Sequence, residues 1–215
     1  MTFSGWPEEA LAFYEGLEDD NSKSYWTSHK AVYEASVLAP MTELIEELAA
    51  ELERRQPGKV LGGEPRIFRP YRDIRFSADK TPYKTHIGAT LGETSYVHLS
   101  ADGLGAGAGM WQLGPERLAR YRAAVAGPPG AELEPVVAAI EKAGHEVHGH
   151  GTLKTAPRGY PADHPRIGLL RHKGLTSWAH WTPGPWLATA EARERVLGLW
   201  TASAPLVEWL RANVD

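Results

Sequence analysis

The sequence predicts an α+β fold in which an antiparallel or mixed central sheet is covered by N-terminal and C-terminal helices. Two observations lead to this class. Residues 1–55 and 186–214 show the apolar spacing of helices, whereas residues 66–111 show the two-residue alternation of strands. Because no repeat or low-complexity linker separates these parts, we expect residues 1–215 to form a single α+β domain.

Three helices are expected in the N-terminal part. Pro7 has the position of a first-turn proline, and Asn21 or Ser22 can cap a second helix. Pro40 opens the third helix, which residues 57–58 end. The apolar stripe of the first helix is predicted at Ala10, Phe13, Tyr14 and Leu17.

The middle of the chain is expected to form strands, beginning with a hairpin of residues 86–91 and 96–100. Glycines then recur at every second position from Gly103 to Gly109, which predicts a strand with one smooth face for close packing. The same residues formally contain a dinucleotide fingerprint, but no strand-turn-helix context surrounds it. Helices are predicted at residues 115–126, 133–143 and 186–214, with Pro205 interrupting the last one.

The formal charge of −4 is distributed unevenly. Residues 66–86 hold six Arg and Lys against two Asp, and residues 154–173 hold five against one. These two segments together carry +8, so the rest of the chain carries −12. Such concentrated positive charge favours a focused anion site over a broad surface for nucleic acid.

Arginine recurs at every third position from Arg66 to Arg75. A regular strand would divide the four side chains between two faces, whereas a polyproline-like conformation would align them. Two interpretations stay open. The guanidinium groups can form a site for carboxylate or phosphate, or they can form an internal ion-pair network with nearby acids. Asp79 to Thr81 are expected to form an Asx turn before Pro82.

Residues 72–84 read Arg-Asp-Ile-Arg-Phe-Ser-Ala-Asp-Lys-Thr-Pro-Tyr-Lys and resemble the signature of the family named domain of unknown function 2461. A second similar block covers residues 153–160 and continues to residue 173. A third, residues 21–26, departs from the family pattern at Ser22 and at the Tyr25-Trp26 pair. The resemblance implies an α+β fold and no particular activity. Because the family's two long blocks are the two basic segments, it also favours one shared site.

Metal and cofactor sites are not expected. The histidines at positions 145, 148 and 150 stand among glycines, which indicates an exposed turn rather than a metal site. The chain has no cysteine, and no hydrolase, phosphate-loop or nuclease motif is present. Glu8 and Glu9 stand where a signal peptide carries positive charge, and no apolar run reaches a membrane span. We therefore expect a cytoplasmic protein without a membrane partner.

The leading hypothesis is a binding site for a small anionic ligand, with phosphorylated ligands as one option, and whether a reaction is catalysed there is left open. The alternatives are a nucleic-acid-binding module, with Phe68, Tyr71, Phe76 and Tyr83 as stacking platforms, and a structural or interaction protein with internally paired arginines. Tyr83, His86 and Asp73 are the candidates for proton transfer. The predicted ligand-binding residues are Arg69, Arg72, Arg75, Lys80, Lys84, Lys154, Arg158, Arg171 and Lys173.

Overall fold

The computed structural model describes residues 2–55, 61 and 63–215. Its helices are α1 (Glu8–Asp19), α2 (Lys23–Val32), α3 (Ala39–Arg55), α4 (Pro115–Ala126), α5 (Pro129–Lys142), α6 (Ile167–Leu170) and α7 (Glu191–Val214). Its strands are β1 (Pro65–Ile67), β2 (His86–Leu91), β3 (Ser95–Ser100), β4 (Gly103–Met110), β5 (Glu146–His148) and β6 (Leu175–Trp181). A π-helical segment covers Tyr33–Leu38, and a 3-10 helix covers Pro185–Ala188.

The strands form one antiparallel sheet in the order β1-β2-β3-β4-β6-β5. In the β1–β2 pair Ile67 faces Ala89, and in the β5–β6 pair Val147 faces Ser177. The predicted hairpin of β2 and β3 is present, since the two strands are hydrogen-bonded neighbours. Helices together with an antiparallel sheet confirm the α+β class.

Contacts between residues divide the chain into two compact units. The first contains residues 1–92, 96–106 and 180–197, and the second contains residues 93–95, 107–179 and 198–215. In the first unit, α1 buries the predicted stripe of Ala10, Phe13, Tyr14 and Leu17. In the second, Tyr121 and Val125 of α4 pack in one cluster with Leu133 of α5 and Trp209 of α7.

The predicted third helix has no separate beginning at Pro40. Helical backbone runs without a break from Lys23 to Arg55, and Ser22 caps it by accepting a hydrogen bond from the Tyr25 amide at 3.2 Å. The π-helical turn ends two residues before the proline, and a hydrogen bond at its end runs from the Ala39 amide to the Glu34 carbonyl. This wider turn accommodates a residue that has no amide hydrogen of its own.

The glycines of β4 have the packing role that the alternation predicts. All eight residues of the strand are buried. The imidazole of His98 lies against Gly105, where an added Cβ would collide with the ring. The indole of Trp178 lies over Gly107, where a Cβ would stand 2.7 Å from the ring. Hydrogen is the only substituent that fits at these two positions.

Prolines in the later helices are tolerated better than the sequence predicts. Pro205 lies inside α7 and does not interrupt it, and Pro135 lies inside α5. Helix α5 begins at Pro129, four residues before the predicted start, because proline fits the first helical turn, where the amide needs no partner. Among the described residues, no helix is both long and apolar enough to cross a membrane.

Candidate functional site

Residues 66–86, the basic hairpin, fold back on themselves within the first unit. The Arg72 amide donates to the Pro82 carbonyl at 2.9 Å, and the Lys84 amide donates to the Pro70 carbonyl at 2.8 Å. Between these bonds Tyr71 faces Tyr83 in a single antiparallel bridge. The two arms are therefore held together at residues 70–72 and 82–84, and residues 73–81 form the tip.

Asn21 fixes the hairpin to the N-terminal helices. Its side-chain Nδ2 donates to the Tyr83 carbonyl at 3.1 Å, and its Oδ1 accepts from the Tyr83 amide at 3.0 Å. The Tyr83 ring stacks on Trp26 with a centroid distance of 4.4 Å and an interplanar angle of 10°. Sequence reasoning considered Asn21 as a helix cap and as part of the third family block, and missed this long-range role.

Arg72 has partners within the hairpin. Its guanidinium forms an ion pair with Asp79 and donates to the Thr81 hydroxyl. Asp79 Oδ1 also accepts from the Thr81 amide at 2.9 Å, which confirms the predicted Asx turn. The Thr81 amide and the Arg72 guanidinium together lower the pKa of Asp79 to about 2. For Arg72, this geometry supports the interpretation of internal pairing.

Arg75 is also paired, with Asp73 in a two-bond arrangement. Its Nε lies 2.9 Å from Oδ1 and its Nη2 lies 2.6 Å from Oδ2 of that carboxylate. These hydrogen bonds lower the pKa of Asp73. A carboxylate that is ionised and already engaged is a poor proton acceptor, so Asp73 is the weakest of the three proton-transfer candidates.

Lys80 and Lys84, two other cations of the hairpin, contact uncharged groups. Lys80 Nζ donates to the Ile74 carbonyl at 2.9 Å, and Lys84 Nζ lies 5.4 Å from the centroid of the Phe68 ring. Burial, and then the charge of Arg69, lower the pKa of Lys84. Within the part of the chain that the structure describes, no carboxylate lies within 4 Å of Arg69 or Lys84.

A pocket of about 340 Å³ opens beside Lys84. Glu18 and Asn21 line it from the N-terminal part, and Arg72, Lys84 and His86 line it from the hairpin. Burial raises the pKa of Glu18, with Asp102 as the next cause. Burial and then the charge of Lys84 lower the pKa of His86.

Such opposite pKa shifts in one pocket are typical of functional sites. Burial and the charge of Lys84 thereby favour the neutral imidazole of His86, which is the form that accepts a proton. Sequence reasoning missed Glu18, which resembles any acidic residue on the exposed face of a helix. Burial raises the pKa of Tyr83, and its ring stacks on Trp26. The structure therefore shows Tyr83 as a packing residue.

The second basic segment belongs to the second unit, so a site shared by residues 66–86 and 154–173 stays a prediction. Lys154, Arg158 and Lys173 are exposed, and Arg171 is half-buried. The Nε atom of Arg171 is buried and has no hydrogen-bond partner among the described residues. The fifth cation of the segment, Arg166, donates to the carbonyls of Val125 at 2.8 Å and Gly127 at 3.1 Å.

The histidines near residue 148 have other neighbours. His148 Nδ1 lies 3.9 Å from a carboxylate oxygen of Glu146, and the His150 ring packs on Trp111 at 4.5 Å. Across residues 2–55, 61 and 63–215, no three His, Asp or Glu side chains are arranged to hold a metal ion.

Comparison with known proteins gives one result. The model of the family described as conserved hypothetical protein (DUF2461) matches residues 9–209, which is nearly the whole chain. No curated protein and no solved structure matches the chain. The match covers both basic segments and the Asn21–Trp26 block that anchors the hairpin. The chain therefore belongs to the family of conserved hypothetical proteins DUF2461.

Proposed function

We propose that the chain binds a small anionic, phosphorylated ligand at the basic hairpin. One observation carries this proposal. Arg69 lies close enough to lower the pKa of Lys84, yet no carboxylate of the described residues lies within 4 Å of either cation. Neither cation forms an ion pair with a described residue, although the charge of Arg69 also helps to lower the pKa of Asp73. Like charges that are not paired raise the free energy of the folded state, and a bound anion lowers that cost.

The two cations suit an anion in complementary ways. The Arg69 guanidinium is exposed and offers a planar fork that matches two oxygens of phosphate or carboxylate. Lys84 is half-buried and supplies a point charge at the edge of the pocket. Arg72 and Arg75 already hold aspartates, so in this proposal they shape the hairpin and add long-range positive potential.

His86 and Glu18 give the pocket groups for proton transfer. The lowered pKa of His86 leaves a neutral imidazole, and the raised pKa of Glu18 favours a protonated carboxyl relative to an ordinary glutamate. A phosphorylated ligand held at Lys84 would therefore have a proton acceptor, His86, beside it.

The direct test is thermal unfolding in phosphate and in chloride at equal ionic strength. Phosphate at about a hundred times its dissociation constant should raise the unfolding midpoint by roughly 5–10 °C. Arg69→Gln and Lys84→Gln should remove this extra shift, whereas Lys142→Gln, which deletes an exposed cation of the other unit, should keep it. A midpoint that responds equally to both salts would overturn the proposal. Substitution by Gln in the same assay also tests the predicted cations of the second unit, which are Lys154, Arg158, Arg171 and Lys173.

Nucleic-acid binding is the second candidate, and a specific observation favours it. Two large hydrophobic side chains of the basic hairpin are exposed, Phe76 by 97% and Tyr71 by 50%. Bases stack on such aromatic rings between cations. Tyr83 is less suited, because Trp26 already stacks on its ring. A steep fall of oligonucleotide affinity with salt, together with loss of affinity in Phe76→Ala, would select this candidate.

We place this function in the cytoplasm. The sequence has no cysteine, which suits a reducing compartment where disulfides are not used.

A further inference from the structure

The first unit presents a continuous set of rings beside the proposed anion site. We define the ring platform as Phe68, Tyr96, His98 and His86. The ring centroids of Phe68 and Tyr96 lie 6.3 Å apart at an angle of 27°, and those of Tyr96 and His98 lie 5.6 Å apart. His86 and His98 are also separated by 5.6 Å. Each ring therefore touches the next.

Strand β3 divides its side chains between a buried and a partly open face. Ser95, Val97 and Leu99 are buried, whereas Tyr96 and His98 between them are half-buried. Tyr96 and His98 therefore lie on the half-buried face of this strand.

Glycines of the neighbouring strands let these rings lie against the sheet. A Cβ at Gly88 of β2 would stand 2.9 Å from the Tyr96 hydroxyl, and a Cβ at Gly105 of β4 would collide with the His98 imidazole. Because both neighbours are glycine, the rings rest on backbone instead of standing upright from it. Rings in this position offer π faces to a ligand.

The platform and the anion site share residues. Lys84 Nζ lies 5.4 Å from the Phe68 ring centroid, and the Arg66 guanidinium carbon lies 5.9 Å from it. His86 belongs to the platform and also lines the pocket. Burial, followed by the neighbouring His86 and His180, lowers the pKa of His98 to about 4, so this imidazole adds no positive charge at neutral pH.

We propose that the ligand carries a planar heteroaromatic ring that stacks on the ring platform while its phosphate binds at Arg69 and Lys84, as in a mononucleotide. The inference rests on the proposed function, because the same cations hold the phosphate. Stacking requires only a flat face, so the platform selects for the presence of a ring and not for one particular base.

The test compares four probes by calorimetry: inorganic phosphate, ribose 5-phosphate, adenosine and adenosine 5′-monophosphate. The monophosphate should bind about five- to a hundredfold more tightly than ribose 5-phosphate, which lacks the ring. It should also shift the ring-proton NMR signals of His98, while those of His172 in the second unit stay in place.

Variants separate the two halves of the site. Tyr96→Leu should lower the affinity for the monophosphate to that for ribose 5-phosphate and leave the affinity for inorganic phosphate unchanged, which also shows that the variant is folded. Tyr160→Leu, a half-buried tyrosine of the second unit, is the control and should change neither affinity. Arg69→Gln should weaken the binding of the monophosphate and of ribose 5-phosphate by the same factor.

Each failure has its own meaning. Equal affinities for the monophosphate and ribose 5-phosphate would overturn the ring inference and leave the anion site standing. Adenosine binding as tightly as the monophosphate would support the platform and contradict the anion site. If none of the four probes binds, both proposals are wrong.

Discussion

Asn21 and Tyr83 exchange two hydrogen bonds across 62 residues of the chain, and this pair joins the basic hairpin to the helices that support it. The amide side chain uses its donor and its acceptor on the backbone of one residue. A carboxylate of the same size could only accept. The position of Lys84 and His86, the next residues along the arm, therefore depends on a residue far away in sequence.

Asn21→Ala is expected to destabilise the protein by about 1–3 kcal/mol, because two half-buried backbone groups of Tyr83 lose their partners. Denaturant unfolding measures this change. Asn213→Ala is a matched control, since Asn213 makes one side-chain bond, to the Trp209 carbonyl four residues earlier. Equal effects of the two substitutions would contradict the anchoring role of Asn21.

Alanine at Gly105 or Gly107 should lower the free energy of unfolding by 1 kcal/mol or more, about the cost of overpacking a close contact. The added methyl group would meet the His98 ring at the first position and the Trp178 ring at the second. Gly198→Ala in α7 is the comparison, because nothing lies within 4 Å of its added Cβ. That change should stabilise the helix by up to about 1 kcal/mol. Gly107→Ala with unchanged stability would show that our packing account is wrong.

The Arg72–Asp79 pair predicts a pH dependence of stability. Because the folded pKa of Asp79 is lowered to about 2 from an ordinary value of 3.8, the ionised form is favoured by folding. Its contribution is present at neutral pH and is lost as the pH falls from about 4 towards 2. In Asp79→Asn the stability should therefore fall less steeply over this range. The measurement is the denaturant midpoint against pH for the unchanged protein and for Asp79→Asn. Parallel curves would show that ionised Asp79 does not stabilise the fold.

Much of the fold follows from local patterns in the sequence. The stripe of α1, the Ser22 cap and the glycine alternation of β4 each depend on neighbouring residues, and the structure confirms them. Strand β6 was not predicted, because its polar residues Thr176 and Ser177 are both buried and hide the alternation of a half-buried strand. Pro40 and Pro205 were expected to mark helix boundaries, but tertiary packing of the flanking turns outweighs their local cost.

The candidate site could be located from sequence but not resolved into roles. The charge count identified the hairpin, because it depends only on composition. It could not show which arginines find aspartates, since the partner of Arg72 stands seven residues away across a turn. Nor could it show that the charge of Arg69 reaches Lys84 while neither forms an ion pair within the described part of the chain, which only the folded backbone determines.

The central claim is that Arg69 and Lys84 form an anion site, and the titration of Lys84 tests it most directly. The pKa of its ammonium group, followed by NMR of the labelled side chain, should lie below the ordinary lysine value in the free protein. Saturating phosphate should raise it, because a bound anion favours the charged form. In Arg69→Gln the free-protein value should move back towards normal. A Lys84 pKa that is unchanged by phosphate at saturating concentration would contradict the account.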